Sequence, residues 1–247
     1  MKFGRNDLCW CGSNQKYKKC HMEFDEKLAE YKRNGVIVPS RKMIKNEEQI
    51  AGIKESGKLN TEILDIVSEH IRAGISTEDL NSLVHNLTVE RNAVPAPLNY
   101  EGFPKSVCIS INEEVCHGIP DPEVVLEDGD IVNVDGTTIY NGYYADASRM
   151  FMIGDVDEKS KKLVQVAKEC LDLGVAAARP WGFLGDIGAV IEPYARKNGF
   201  SIVRGIGGHG VGVGFHEDPY VSHVGKKGTG VLLVPGMTFT IEPMVNM

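Results

Sequence analysis

From residue 43 onward the apolar positions fall at helical intervals. Ile50, Ile53, Leu64, Val67 and Ile71 recur at threes, fours and sevens, and Gly74 then supplies a stop. A second helix begins at once. Ser76-Thr77-Glu78-Asp79 has the form of a capping box with Asp in place of Glu, and Leu80, Leu83, Val84 and Leu87 give that helix one buried face. The period then shortens to two, which predicts strands over 106–111, 115–117, 131–140 and 143–153. Helical spacing returns over 159–178, breaks at Arg179-Pro180-Trp181-Gly182, and resumes over 184–198 with Gly199 to close it.

Two helices followed by strands, twice over, make an internal repeat. Leu126-x-x-Gly129 to Asp135 aligns without gaps on Leu233-x-x-Gly236 to Glu242, so each half carries a carboxylate six residues after a glycine. Alternation puts Thr238, Thr240 and Glu242 on one strand face and Met237, Phe239 and Ile241 on the other, and Asp135 likewise opposes Val132 and Val134. Asn141-Gly142 signals a type I′ turn between the strands of Asp135 and Asp146. With Tyr140 opposite Tyr143, Asp135 faces Ser148 and Asp146 faces Thr137. The two aspartates are then diagonal neighbours on one face, roughly 7 to 8 Å apart. Like charges held there repel unless protonated or bridged by cations, and divalent metal is the simplest remedy; two solvated aspartates on a hairpin are the plain alternative.

The second half adds Gly207-Gly208-His209-Gly210 and Phe215-His216-Glu217-Asp218-Pro219. Glycines leave backbone room beside a ligand, and histidines offer neutral nitrogen ligands or acid–base groups. His117 stands in a comparable turn, His117-Gly118-Ile119-Pro120-Asp121. Histidine with three carboxylates suits Mn, Fe, Co or Zn better than Ca or Mg, which prefer all-oxygen shells.

Composition narrows the setting. The 247 residues are 42% hydrophobic and 25% charged, as in ordinary globular proteins, and this length allows one large domain with a small appendage. No apolar run approaches the ~18 residues of a membrane helix, and the first twenty residues lack a signal peptide's apolar stretch, so the expected home is the cytosol. The net charge of −7 is uneven: residues 1–50 carry 11 Lys/Arg against 7 Asp/Glu, the rest 16 against 27. An acidic body argues against nucleic acid as the main substrate, while a basic head could dock on an anionic surface such as RNA or simply be solvated.

Three of the six cysteines lie in the first twenty residues, and Cys9, Cys11, Cys20 and His21 put four soft ligands inside thirteen positions. In a reduced compartment such a cluster takes zinc, and the ion supplies folding free energy that so short a polar segment lacks. Incidental reduced thiols are the alternative. Residues 25–42 read as a charged, partly helical linker, with Gly35 and Pro39 near its end.

Two resemblances follow from these motifs. Gly4-Arg5-Asn6-Asp7-Leu8-Cys9-Trp10-Cys11-Gly12-Ser13, with Lys16-Tyr17-Lys18-Lys19-Cys20-His21, closely resembles the SEC-C zinc motif. It implies zinc on Cys9, Cys11, Cys20 and His21 and docking toward another protein or the ribosome. Residues 43–247 resemble the type I methionine aminopeptidases, of the α+β pita-bread (creatinase/aminopeptidase) fold with its pseudo-two-fold repeat. Ser106-Val107-Cys108, Cys116-His117-Gly118-Ile119-Pro120, Val132-Asn133-Val134-Asp135, Asp146-Ala147-Ser148-Arg149-Met150-Phe151, the His209 and His216 motifs and Phe239-Thr240-Ile241-Glu242-Pro243-Met244 carry it. The resemblance implies two divalent metals on Asp135, Asp146, His209 and Glu242, hydrolysis of the bond after an initiator Met, and Glu242 managing the proton. It implies further that His117 contacts substrate near the scissile amide and that His216 stabilises the oxyanion. Tyr100, Phe103, Cys108 and Phe215 would wall the methionine pocket, for which core packing is the plain alternative.

The expected organisation is a SEC-C-like motif over 1–24, a linker over 25–42 and the peptidase domain over 43–247. The expected protein is a cytoplasmic monomer acting on the N-terminal Met of nascent chains. The repeat also predicts a partner carboxylate for Glu242 on a following strand, matching a late glutamate of the family. Only five residues follow Glu242, so the sequence reads as the C-terminally incomplete record of an active enzyme. The competing expectation is a pita-bread binding module, catalytically impaired for want of that ligand. A proline-directed peptidase of the same fold fits less well, because the motifs take the short type I form.

Overall fold

The computed structural model describes residues 3–247. Helices α1 (Met22–Arg33), α2 (Glu47–His70) and α3 (Thr77–Glu90) precede strands β1 (Val94–Pro95), β2 (Cys108–Ile111), β3 (Ile131–Tyr140) and β4 (Tyr143–Met152). Helices α4 (Glu158–Ala177) and α5 (Leu184–Lys197) and strands β5 (Ser201–Ile202), β6 (Gly208–Gly210), β7 (Glu217–Val221) and β8 (Val245–Asn246) follow. The helix–helix–strand order therefore runs twice.

In the first half β4 lies along one edge of β3, while β2 and β1 share the other, all antiparallel. The β3–β4 register is the one the Asn141-Gly142 turn dictates: Tyr140 opposes Tyr143, Asp135 opposes Ser148 and Asp146 opposes Thr137. Asn141 and Gly142 both have positive φ, 50° and 82°, the demand of a type I′ turn. Helix α2 lies across this sheet. Its Asn60 donates to the Gly136 carbonyl (2.7 Å), and its Ser56 bonds to Thr138. Gly52 passes so close to the hairpin that a Cβ there would stand 2.1 Å from the Tyr143 ring. Ile63, Leu64, Val67, Leu80, Val84, Val132 and Val134 form the core between helices and sheet. Each such side chain contributes roughly 1.5–3 kcal/mol by leaving water. The Ser76 capping box forms as expected, with the Ser76 hydroxyl accepting the Asp79 N–H and the Asp79 carboxylate accepting the Ser76 N–H.

The second half packs Val166 and Cys170 of α4 on Ile187, Ile191 and Ala195 of α5, with Phe200, Val221 and Leu233 completing the core. Met237, Phe239 and Ile241 pack against this cluster, the face that alternation assigns them. Gly129 and Gly236, equivalent in the repeat, have nearly equal φ of 99° and 93°.

Two expected strands differ. Residues 115–117 are irregular chain with a bend at Cys116: His117 has φ 57° and Gly118 sits against the Ile109 carbonyl, where a Cβ would lie 2.0 Å away. The segment 237–242 is not a regular strand. It bonds to residues 209–211 through Val211 N–H to Thr238 O (3.3 Å) and Thr240 N–H to His209 O (2.8 Å).

The amino-terminal segment lies on the body. Trp10, Phe24, Leu28 and Tyr31 join Trp181 and Phe183 around buried Ile44, Leu232 and Val234. Helix α1 runs through the boundary expected after residue 24, and its Asp25 accepts hydrogen bonds from Trp10, Tyr17 and Arg41. Asn46, the N-cap of α2, donates through its side chain to the Cys11 carbonyl (3.1 Å).

Candidate metal centre

Four acidic or imidazole side chains converge where the two halves meet. Asp135 and Asp146 come from β3 and β4, His209 from β6, and Glu242 from the extended segment after Gly236. His209 Nε2 stands 3.4 Å from Asp146 Oδ2 and 3.7 Å from Glu242 Oε1. Its Nδ1 bonds to the Gly210 carbonyl at 3.0 Å, so Nδ1 keeps the proton and Nε2 turns toward the carboxylates. Thr240 braces both partners, accepting the His209 N–H (3.0 Å) and donating its hydroxyl to Glu242 Oε1 (2.5 Å). His223, fully buried, accepts the Glu242 N–H on Nε2 (3.0 Å), while its Nδ1 has no partner among the described residues.

The electrostatics of the cluster are those of carboxylates crowded together. Burial, then Asp146 and Glu242, push the Asp135 carboxyl well above the usual range. Glu242 is raised by burial and by Asp146, against the Thr240 hydrogen bond and His209. For His209, burial favours the neutral ring, but the Asp146 and Gly210 hydrogen bonds outweigh it and raise the pKa. Cations placed among three carboxylates and an Nε2 lone pair would relieve this repulsion. The donor set fits divalent transition metals.

Aromatic rings form one wall. Tyr100 lies in the short turn Tyr100–Gly102, its ring centroid 4.7 Å from Phe215 and 5.2 Å from His216. His216 shares a 3.0 Å hydrogen bond with the Tyr100 hydroxyl through Nδ1, and its ring lies 4.2 Å from His209. Burial and His209 lower the His216 pKa, which keeps this imidazole neutral. Burial, Glu101 and Tyr144 raise that of Tyr100, which keeps its hydroxyl protonated. Cys108, buried, stands directly opposite Asp135 in the sheet, and burial together with both aspartates pushes its thiol up. Phe103 closes the Tyr100 turn with its N–H on the Tyr100 carbonyl (2.9 Å), outside that ring stack. His117 is exposed beside this bend, close enough to His216 to act on its charge.

The amino-terminal ligands also assemble. Donor atoms of Cys9, Cys11, Cys20 and His21 all lie within 4.8 Å of one another, with His21 Nδ1 3.3 Å from Cys9 Sγ and 3.1 Å from Cys20 Sγ. Three thiols and an imidazole at such distances suit a tetrahedral zinc ion.

Sequence reasoning missed Lys45, Glu217 and His223. Lys45 Nζ pairs with Glu217 Oε2 at 2.8 Å. Glu217 stands inside a motif that drew attention for its histidines, whereas Lys45 looks like any residue of a charged stretch. Thr240 was legible only as a neighbour on the Glu242 face.

Comparison with known proteins gives this arrangement its family. Residues 51–247 match the model of metallopeptidase family M24, and residues 5–23 match the SEC-C motif. The chain is 47% identical over 203 residues to the methionine aminopeptidase of Rickettsia prowazekii, covering 82% of this chain and 78% of that one. It is 44% identical over 246 residues to the methionine aminopeptidase of Chlamydia muridarum, covering 98% and 84%. The crystal structure of the Rickettsia enzyme superposes with a TM-score of 0.80 over 82% of both chains. A prolidase of Pyrococcus horikoshii, 25% identical, superposes at 0.68 over 81% of this chain and 55% of its own. No helix among the described residues is long and apolar enough to cross a membrane. With its paired halves in the pita-bread arrangement and a SEC-C motif at the amino terminus, the chain belongs to metallopeptidase family M24 as a methionine aminopeptidase.

Proposed function

We propose that this chain removes the initiator methionine from nascent proteins in the cytoplasm by a dinuclear mechanism, with Asp135, Asp146, His209 and Glu242 holding both divalent ions. The meeting of three carboxylates with Nε2 of His209, whose Nδ1 is engaged by the Gly210 carbonyl, carries the reading. Bound there, Co, Mn, Fe or Zn would polarise the scissile carbonyl and make water nucleophilic at neutral pH.

The chain's own groups do the rest. Glu242, whose proton affinity burial raises, takes a proton from the attacking water and returns it to the leaving amine. His216 is neutral and accepts a hydrogen bond from the Tyr100 hydroxyl on Nδ1, which leaves Nε2–H as a donor for the tetrahedral oxyanion. His117 contacts the amide from its exposed position. Tyr100, Phe103, Cys108 and Phe215 wall the methionine pocket, where thioether–aromatic contacts favour that side chain. At the amino terminus Cys9, Cys11, Cys20 and His21 hold one structural zinc, and this motif docks the monomer on another protein or the ribosome.

The test is methionine release from Met-Ala-Ser with Mn or Co titrated into the metal-free protein. Activity that follows occupancy of two sites supports the reading. Stoichiometric metal binding without turnover favours a binding module instead.

A further inference from the structure

Lys45 lies at a joint between four parts of the molecule. Its backbone N–H donates to the Gly236 carbonyl (2.8 Å), at the start of the segment that ends in Glu242. Gly236 must be glycine for this approach, since a Cβ would stand 2.9 Å from the Lys45 carbonyl and φ is 93°. Neighbouring Asn46 caps α2 and holds the Cys11 carbonyl of the amino-terminal motif. The Lys45 side chain is 1% exposed, and its ammonium meets Glu217, 172 residues away in sequence.

The Glu217 carboxylate is divided between two tasks. Oε2 takes the Lys45 ammonium, while Oε1 accepts the N–H groups of Val213 (2.8 Å) and Gly214 (2.9 Å). The residues thus enclosed are 213–217, the loop that carries Phe215 and His216. A buried ion pair adds little net stability over an apolar pair of the same size, but it fixes geometry, because neither charge can move away from the other without being stranded. Lys45 does not touch the ring stack. Its side chain acts on the reaction through the loop that Glu217 folds.

We infer that Lys45 is a positioning residue for the aminopeptidase reaction: through Glu217 it fixes the 213–217 loop, and so His216, relative to the segment carrying Glu242. The inference rests on the oxyanion role of His216 proposed above. A displaced His216 would leave substrate binding largely intact and weaken an interaction made chiefly in the transition state, so the loss falls on kcat.

The experiment compares Lys45→Met, Lys45→Arg, the double variant Lys45→Met/Glu217→Gln and His216→Ala in metal-loaded protein, with rates normalised to folded, metal-bound molecules. Lys45→Met is expected to lower kcat for Met-Ala-Ser about tenfold, with KM within about twofold, as for a loop displaced by a fraction of an ångström. Lys45→Arg should recover most of the rate. The double variant removes the stranded charge and should restore the melting temperature while kcat stays low. Hydrogen exchange gives a readout apart from activity: the Val213 and Gly214 amides should exchange faster in Lys45→Met than in the wild type. If Lys45→Met fails to fold, Lys45→Arg and the double variant carry the test.

A lower melting temperature with unchanged kcat per folded molecule, or a double variant as fast as wild type, would overturn the inference. If His216→Ala keeps full kcat, the role of His216 falls and the inference with it. If His216→Ala is slow and Lys45→Met is not, Lys45 alone is wrongly assigned.

Discussion

In the first half of the repeat Asp135 and Asp146 ride on a ladder that pairs every residue from Ile131–Met152 to Tyr140–Tyr143, whereas in the second half Glu242 ends a segment bonded at scattered points. The ladder aims its aspartates by backbone geometry, since alternation and register leave each side chain one direction. The second half aims Glu242 and His209 by side chains: the Thr240 hydroxyl between them and the His223 ring on the Glu242 N–H. Equivalent positions in a duplicated unit therefore differ in what would disturb them.

The largest effect tests both halves together. Asp146→Asn and His209→Ala should each lose bound metal and slow methionine release by about a thousandfold, the equivalent of roughly 4 kcal/mol of transition-state stabilisation. Metal analysis beside the rate assay checks this, and full metal content with full activity in either variant would remove the assignment.

The contrast between halves is sharpened by a milder pair. Thr240→Val takes away the hydroxyl that holds Glu242 and should weaken metal affinity about 10- to 100-fold. Ser148→Ala, directly opposite Asp135 on the ladder, leaves every backbone bond in place and should change affinity less than about twofold. Equal losses in metal titrations of the two variants would mean that the two halves hold their carboxylates in the same way.

Smaller effects concern the amino-terminal motif. The double variant Cys9→Ser/Cys11→Ser should release one zinc and spare methionine release in a short assay. Its melting temperature should fall by roughly 2 to 4 °C for each kcal/mol of packing lost around Trp10. Loss of turnover with both catalytic ions still bound would show that the motif is part of the active machinery.

The smallest effect is a pH dependence. Burial pushes the Glu217 carboxyl up, but the Lys45 ammonium and the Gly214 and Val213 N–H groups outweigh it and hold it below the usual range. A carboxyl lowered by folding contributes stability that is complete above its unfolded pKa, near 4.3, and is lost as pH falls through the folded value. Urea unfolding of metal-free protein should show wild type losing stability from about pH 5 downward by more than Glu217→Gln does. Parallel curves would mean that the ion pair does not differ between folded and unfolded states.

Local chemistry in the sequence foretold the parts whose causes are local. Asn141-Gly142 set the hairpin register to the residue, Ser76 and Asp79 set a helix start, and the spacing from Gly129 to Asp135 found its counterpart at Gly236 and Glu242. Residues 115–117 misled because Val115 and Cys116 suit a strand, while the positive φ of His117 is imposed by Gly118 closing on the Ile109 carbonyl. The Lys45–Glu217 pair and the His223 contact were out of reach, since no periodicity links residues so far apart in the chain. The seating of the amino-terminal motif was hidden too, because Phe24, Leu28 and Tyr31 share an apolar face only after α1 has formed, and Trp10 joins them from outside that helix.

That seating also bears on how the two modules travel together. Ile44, Leu232, Val234, Trp181 and Phe183 are covered by Trp10, Phe24, Leu28 and Tyr31, so a body produced from residue 43 onward would carry an open patch of large apolar side chains. Patches of that kind bring molecules together in solution. Cutting the motif away would therefore first change the colloidal behaviour of the protein, and a loss of soluble yield would have to be separated from any loss of targeting.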